Sequence, residues 1–146
     1  MTTPLSASLR QRLEALGRAL GEREAAHRQV RERAAEHANA LREFVAEELD
    51  TFHRAAAAAG AGHLRIELGE PRVDDKHLQA TEFDLKRGRY RAIVTVKSRG
   101  DVTLVGPFHA GKTEGPCRSF PLDSSQEIRQ ALGDFLVRFV EEASTP

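Results

Sequence analysis

The sequence predicts an α+β protein with a long N-terminal helix, an antiparallel meander of four or five strands, and a C-terminal helix packed on the sheet. From Ser6 to about Ala59 there is no proline, and most residues are strong helix formers. After Gly62 the apolar residues alternate with polar ones, which is typical of strands. The C-terminal segment returns to the wide apolar stripe of an amphipathic helix.

The first helix begins with a coiled-coil seam, because Leu9, Leu13, Leu16 and Leu20 are spaced four, three and four residues apart. Uninterrupted, this helix would be about 80 Å long. A domain of this size has a core only about 30 Å across, so the chain cannot cover the whole helix face itself. The pair of glycines at 17 and 21 is where we expect a bend or break.

The apolar pattern divides the chain at about residue 40. Continuing the leucine register makes the middle of the seam more polar, and its residues there are Arg23, His27, Val30, Ala34 and His37. A wide stripe typical of a helix docked on a core then follows, at Leu41, Phe44, Val45, Leu49 and Phe52. We therefore predict a helical arm over residues 1–40 and an α+β head over residues 41–146. Four leucines on an isolated arm would aggregate, so the arm is expected to pair, most simply as a homodimer.

The first strand is predicted at Leu64–Leu68 and the second at Gln79–Lys86, and the segment Gly69–His77 between them is predicted to be a loop. Further strands of the meander follow. A two-residue turn at Arg87-Gly88 would pair Leu85 with Tyr90 and Phe83 with Ala92, which places apolar residues together.

The following hairpin is predicted to have a three-residue loop, Arg99-Gly100-Asp101. This loop sets Val96 opposite Leu104, and Gly100 can supply the positive φ that such loops commonly need. A short last strand is expected at Arg118–Leu122.

The closing helix begins with a capping-box sequence, in which Ser124 would cap the helix and Glu127 would reach back to it. Its core stripe is predicted to consist of Ile128, Leu132, Phe135, Leu136, Phe139 and Val140.

Composition argues against several function classes. Lys+Arg and Asp+Glu both total 22, so no global charge attracts nucleic acid or anionic lipid. One cysteine permits no intramolecular disulfide and no zinc site built on several thiolates. The N-terminus lacks a signal-peptide pattern, and no apolar run approaches the roughly 20 residues that span a bilayer. We expect a cytoplasmic, soluble protein without a metal or cofactor.

Residues 106–113 match the phosphate-loop pattern G-x-x-x-x-G-K-[ST]. A working phosphate loop precedes a helix, whereas Gly115-Pro116 would stop any helix here within one turn. Phosphate-loop enzymes also use parallel sheets, and short hairpins join these strands. The preferred interpretation is a glycine-rich loop between meander strands. The alternative is an anion site formed by Gly106, Gly111, Lys112 and Thr113.

Basic residues cluster at one hairpin tip, and they are Lys86, Arg87, Arg89 and Arg91. They could contact an acidic partner or a phosphate backbone, or they could simply discourage edge-to-edge pairing of strands. Near the glycine-rich loop, His109 and Cys117 could form a metal or thiolate pair. The preferred interpretation of Cys117 is a buried, unreactive cysteine.

The leading functional hypothesis is a non-enzymatic scaffold or adaptor protein that self-associates through its N-terminal helix and contacts an unidentified protein. The alternative is a small nucleotide- or anion-binding protein that uses residues 106–113. A third hypothesis, a nucleic-acid accessory protein using the basic hairpin, is disfavoured by the zero net charge.

Overall fold

The computed structural model describes residues 4–74, 80–111 and 115–145. Helix α1 spans Pro4–Ala58 and is continuous through Gly17 and Gly21, so it does not break at either of these glycines. The helix ends in a Schellman motif around Gly60, whose φ is +87°. The amide of Gly60 donates to the Ala57 carbonyl, and the amide of Ala61 donates to the Ala56 carbonyl.

The described chain forms a six-stranded antiparallel sheet and a second helix, which confirms the α+β class. The elements after α1 are β1 (Glu67–Leu68), β2 (Arg72–Asp74), β3 (Ala80–Arg87), β4 (Tyr90–Lys97), β5 (Asp101–His109), β6 (Cys117–Pro121) and α2 (Ser125–Ser144). The strand order is β1-β3-β4-β5-β6, and β2 also pairs with β3. The edge opposite β1 and β2 is therefore β6.

The predicted β3–β4 register was wrong by two residues. Arg87 pairs with Tyr90 and Leu85 pairs with Ala92, so the two-residue turn is Gly88-Arg89. Gly88 has a φ of +57°, which suits this turn. Because side chains alternate with a period of two, the shift leaves every residue on its predicted face.

The β4–β5 hairpin shows the same kind of displacement. Val96 pairs with Val102 rather than with Leu104. The loop between the strands does have three residues, which are Ser98–Gly100, and Gly100 has a φ of +107°.

The first predicted strand is shorter than expected. Only Glu67 and Leu68 form β1, because the preceding residues make turns and the amide of Ile66 donates to Nε2 of His53 at 3.0 Å. Strand β2 lies inside the segment Gly69–His77, which was predicted to be a loop. The end of that predicted loop, at His77, lies outside the described residues. The last strand begins one residue earlier than predicted, at Cys117.

Both helices cover the same face of the sheet. Phe83, Leu85, Val94, Val96 and Val102 are fully buried there. Helix α1 contributes Val45 and Leu49, and it first becomes buried at Ala34 and Ala38. These alanines have small side chains, so the helix can lie close to the neighbouring structure at these two positions.

Helix α2 buries the predicted stripe, with Ile128, Leu132, Leu136 and Phe139 in the core and Phe135 and Val140 packed against it. The predicted capping box does not form. Ser124 makes no side-chain cap hydrogen bond, although its carbonyl accepts the first bond of the helix from the Ile128 amide at 2.9 Å.

His53 joins the base of α1 to the chain entering β1. Burial lowers the pKa of His53, the nearby charge of Arg65 lowers it further, and Asp50 opposes these effects. Since Nε2 accepts the Ile66 amide, the folded protein requires the neutral ring.

We predict that His53 makes the protein less stable in mild acid. The folded-state pKa lies below the ordinary value of 6.5, so the contribution of His53 is complete above that pH and is lost as pH falls from 6.5 through the folded-state pKa. Urea unfolding of the wild type and of His53→Gln, at about pH 7 and about pH 5, should give a smaller pH dependence for the variant. Equal pH dependence would contradict the assignment.

Candidate functional site

The N-terminal half of α1 extends beyond the head. Every residue from 7 to 33 is exposed, including the four seam leucines. Leu9, Leu13, Leu16 and Leu20 are 54%, 57%, 53% and 50% exposed. We call residues 7–33 the arm. Most of the exposed large apolar side chains in the described chain lie on it, because the head offers nothing for them to contact.

The arm and the docked base of α1 share one apolar register. Seven-residue steps from Leu13 lead through Leu20 and His27 to Ala34, which is 2% exposed, and then to the half-buried Leu41. The leucine stripe therefore continues the side of α1 that faces the core. Between the apolar ends, Arg31 forms an ion pair with Glu24 at 3.3 Å.

A groove of about 520 Å³ lies between the base of α1 and α2. Phe44 and Phe52 line it from α1, and Val137 and Val140 line it from α2. Val137 is 59% exposed, although its neighbour Leu136 is in the core. Three exposed carboxylates also border the groove, and they belong to Glu48, Asp134 and Glu141.

The groove was not predicted from the sequence. Its only sequence signal is that Val137 and Val140 widen the apolar stripe of α2 beyond what one core-facing side needs. That signal cannot show which part of the stripe is left uncovered, because this depends on how α1 and α2 lie on the sheet.

The first part of the phosphate-loop pattern lies in a strand. Gly106–His109 belong to β5, where a bulge interrupts the pairing between Arg91 and Ile93. Gly106 has a φ of +121°, and a Cβ placed on it would lie 2.9 Å from the Arg91 carbonyl oxygen. Glycine is therefore required at 106 by the backbone and by close packing, independently of any ligand.

Two amides in this segment have acceptors within the protein. Gly106 donates to the Pro116 carbonyl at 2.8 Å, and Ala110 donates to the Arg89 carbonyl at 2.6 Å. Gly111 is exposed with a φ of +90°. Lys112 and Thr113 lie outside the described residues. Gly115 and Pro116 are not helical, and they lead into β6.

The basic hairpin has two kinds of residue. Nε of Arg87 donates to the Ala143 carbonyl at 3.2 Å, and its Nη1 donates to the His63 carbonyl at 3.2 Å. Arg87 thus holds the end of α2 to the loop after α1. Arg91 folds back on the turn, donating to the Gly88 carbonyl at 3.2 Å. Lys86 and Arg89 remain exposed and accessible to a partner.

His109 and Cys117 do not form a pair. Cys117 lies opposite Val105, which is four residues or about 13 Å from His109 along β5. The predicted burial of Cys117 is wrong, because the thiol lies on the edge strand β6 and is exposed. The ring of His109 instead packs edge-on against the ring of Tyr90, and the two ring centres are 4.9 Å apart. No cluster suited to a metal ion occurs among the described residues.

No protein-family model, curated protein or solved structure matches this chain significantly. Within the described part of the chain, no helix is long and apolar enough to cross a membrane.

We predict that Gly106→Ala destabilises the protein more than Gly100→Ala. Both glycines have positive φ, but only at 106 would the new methyl group meet backbone atoms within 3.0 Å. Backbone strain alone costs about 1–3 kcal/mol, so Gly100→Ala should lie in that range and Gly106→Ala above it. Equal losses in the free energy of unfolding, measured in urea, would contradict the packing role of Gly106.

Proposed function

We propose that this protein is a non-enzymatic scaffold or adaptor that self-associates through its N-terminal helix, with the dimer favoured. Residues 1–40 serve as the association segment, and residues 41–146 form the head. The observation that carries the proposal is the stripe of four leucines, each at least 50% exposed, on a helix that extends beyond the head. Contiguous exposed apolar surface of this kind marks an interaction site.

The energetics favour a weak, concentration-dependent association. Fully burying a leucine contributes about 1.5–3 kcal/mol, so burying the exposed halves of eight leucines from two chains contributes about 6–12 kcal/mol. Association costs about 4–15 kcal/mol in lost freedom of motion. Contacts beyond the leucines are therefore needed for a stable dimer.

The head is proposed to contact a second protein in the cytoplasm through its exposed loops and the accessible basic residues Lys86 and Arg89. Nucleic acid is a less favoured partner, because the net charge is zero and Arg87 and Arg91 are engaged within the head. Nucleotide binding is also less favoured, since Gly106 and Ala110 make backbone hydrogen bonds within the protein.

We predict that the double variant Leu13→Glu, Leu16→Glu is a folded monomer. Its new carboxylates would have to be buried unpaired in any interface built on the seam. The control is Gln11→Glu, Ala15→Glu, which adds the same charge on exposed positions outside the seam and should associate like the wild type. Sedimentation equilibrium gives the mass of each, and circular dichroism checks the helix. A seam variant that associates like the wild type would disprove the proposal.

We predict that ATP or GTP with Mg²⁺ does not raise the unfolding temperature. A ligand at about 100 times its dissociation constant adds about 2.7 kcal/mol of stability, which thermal unfolding detects easily. A rise in the wild type that is lost in Lys112→Ala would instead establish the alternative, anion binding by residues 106–113.

A further inference from the structure

We propose that the leucine stripe of one copy docks in the groove between α1 and α2 of a second copy. This inference rests on the proposed self-association and specifies the surface that receives the arm. Both surfaces are apolar and exposed in the single chain, since the residue Leu13 on the arm is 57% exposed and the residue Val137 in the groove is 59% exposed.

The leucine spacing of the arm suits a groove between two helices. The groove lies between two helices and has an apolar lining at Phe44, Phe52, Val137 and Val140. A third helix that fills such a groove contacts it through residues spaced i, i+4 and i+7. Leu9, Leu13 and Leu16 have this spacing, and Leu20 continues it by one further turn.

The charges also correspond. Glu48, Asp134 and Glu141 border the groove with three negative charges. Arg138, on the adjacent surface of α2, is already paired with Glu142 at 3.0 Å, and the guanidinium of Arg129 lies 5.8 Å from the centre of the Phe44 ring. The leucine-bearing part of the arm, residues 7–23, has four arginines and two glutamates and so a net charge of +2. Opposite charges therefore meet when the stripe enters the groove.

The arm that fills the groove must come from another copy. Because α1 is one continuous helix, Leu20 lies 24 residues, or about 36 Å, from Phe44 along the same axis. An arm cannot fold back onto its own groove without breaking that helix. A reciprocal exchange, in which each arm fills the other copy's groove, runs the two α1 helices antiparallel and closes the dimer.

Groove docking also avoids a difficulty of pairing the arms in parallel. In a parallel, in-register pair, the seam would bring Arg23 against Arg23 of the second copy and His27 against its equivalent. Docking in the groove covers the leucines and also Val137, which direct pairing of the arms leaves exposed. It thereby supplies the additional apolar contact that a stable dimer requires.

The test is the dimer dissociation constant of Val137→Arg, measured by sedimentation equilibrium. Val137 is 59% exposed, so the folded monomer should tolerate arginine, whereas a docked arm would meet a new positive charge. The control Gln130→Arg adds the same charge to another exposed position of α2. We expect Val137→Arg to weaken the dimer at least tenfold and the control to leave it unchanged.

A second variant, Glu141→Lys, reverses a charge at the groove border without altering its apolar lining. It should also weaken the dimer, and by less at high salt, because the lost attraction is electrostatic. If both groove variants dimerise like the wild type while the Leu13/Leu16 variant is monomeric, the groove inference fails and arm-to-arm pairing stands. If the wild type remains monomeric, both the inference and the proposed function fail.

Discussion

The structure depends on one constraint: α1 is a single helix that is longer than the core that this chain can build. The head buries α1 only from Ala34 onward, and residues 7–33 are left exposed. The exposed part keeps the same apolar register as the buried part. The side of α1 that packs on the core at its base is therefore exposed to solvent along the arm. Self-association is the simplest way to cover it, and the proposals above follow from this.

The head is organised to hold α1 in place. Both helices pack on one face of the sheet, where Ala38 of α1, Phe83 of β3 and Phe139 of α2 belong to a single core. Polar contacts fix the periphery, since His53 accepts the Ile66 amide and Arg87 donates to the end of α2. Outer apolar side chains of the two helices, including Phe44 and Val137, line the groove between them. The arm and the groove thus result from the same arrangement of α1 over the sheet.

Local patterns were sufficient for the two helices and for the faces of β3, β4 and β5, but not for the short strand β2 or for details of pairing. Both hairpin registers were displaced by two residues, because a period-two pattern fits equally well after such a shift, and only the turns at Gly88 and Gly100 decide between them. The Ser124–Glu127 capping box was predicted from residue types and does not form, because the backbone of Ser124, with φ −86° and ψ 55°, lies outside the extended conformation typical of a helix cap. The seam leucines were identified from spacing alone, whereas the groove required knowledge of how two distant helices meet.

By itself, the sequence determined the α+β class, the long helix and the leucine stripe, since these follow from propensity and periodicity over many consecutive residues. Only the tertiary structure shows what Gly106, the first glycine of the phosphate-loop-like string, does. Gly106 matches a phosphate-loop position by letter, but in the fold it lies at a strand bulge against the backbone of Arg91 and Ala92. A short motif specifies residue types, and its chemistry depends on which neighbours the fold places around them.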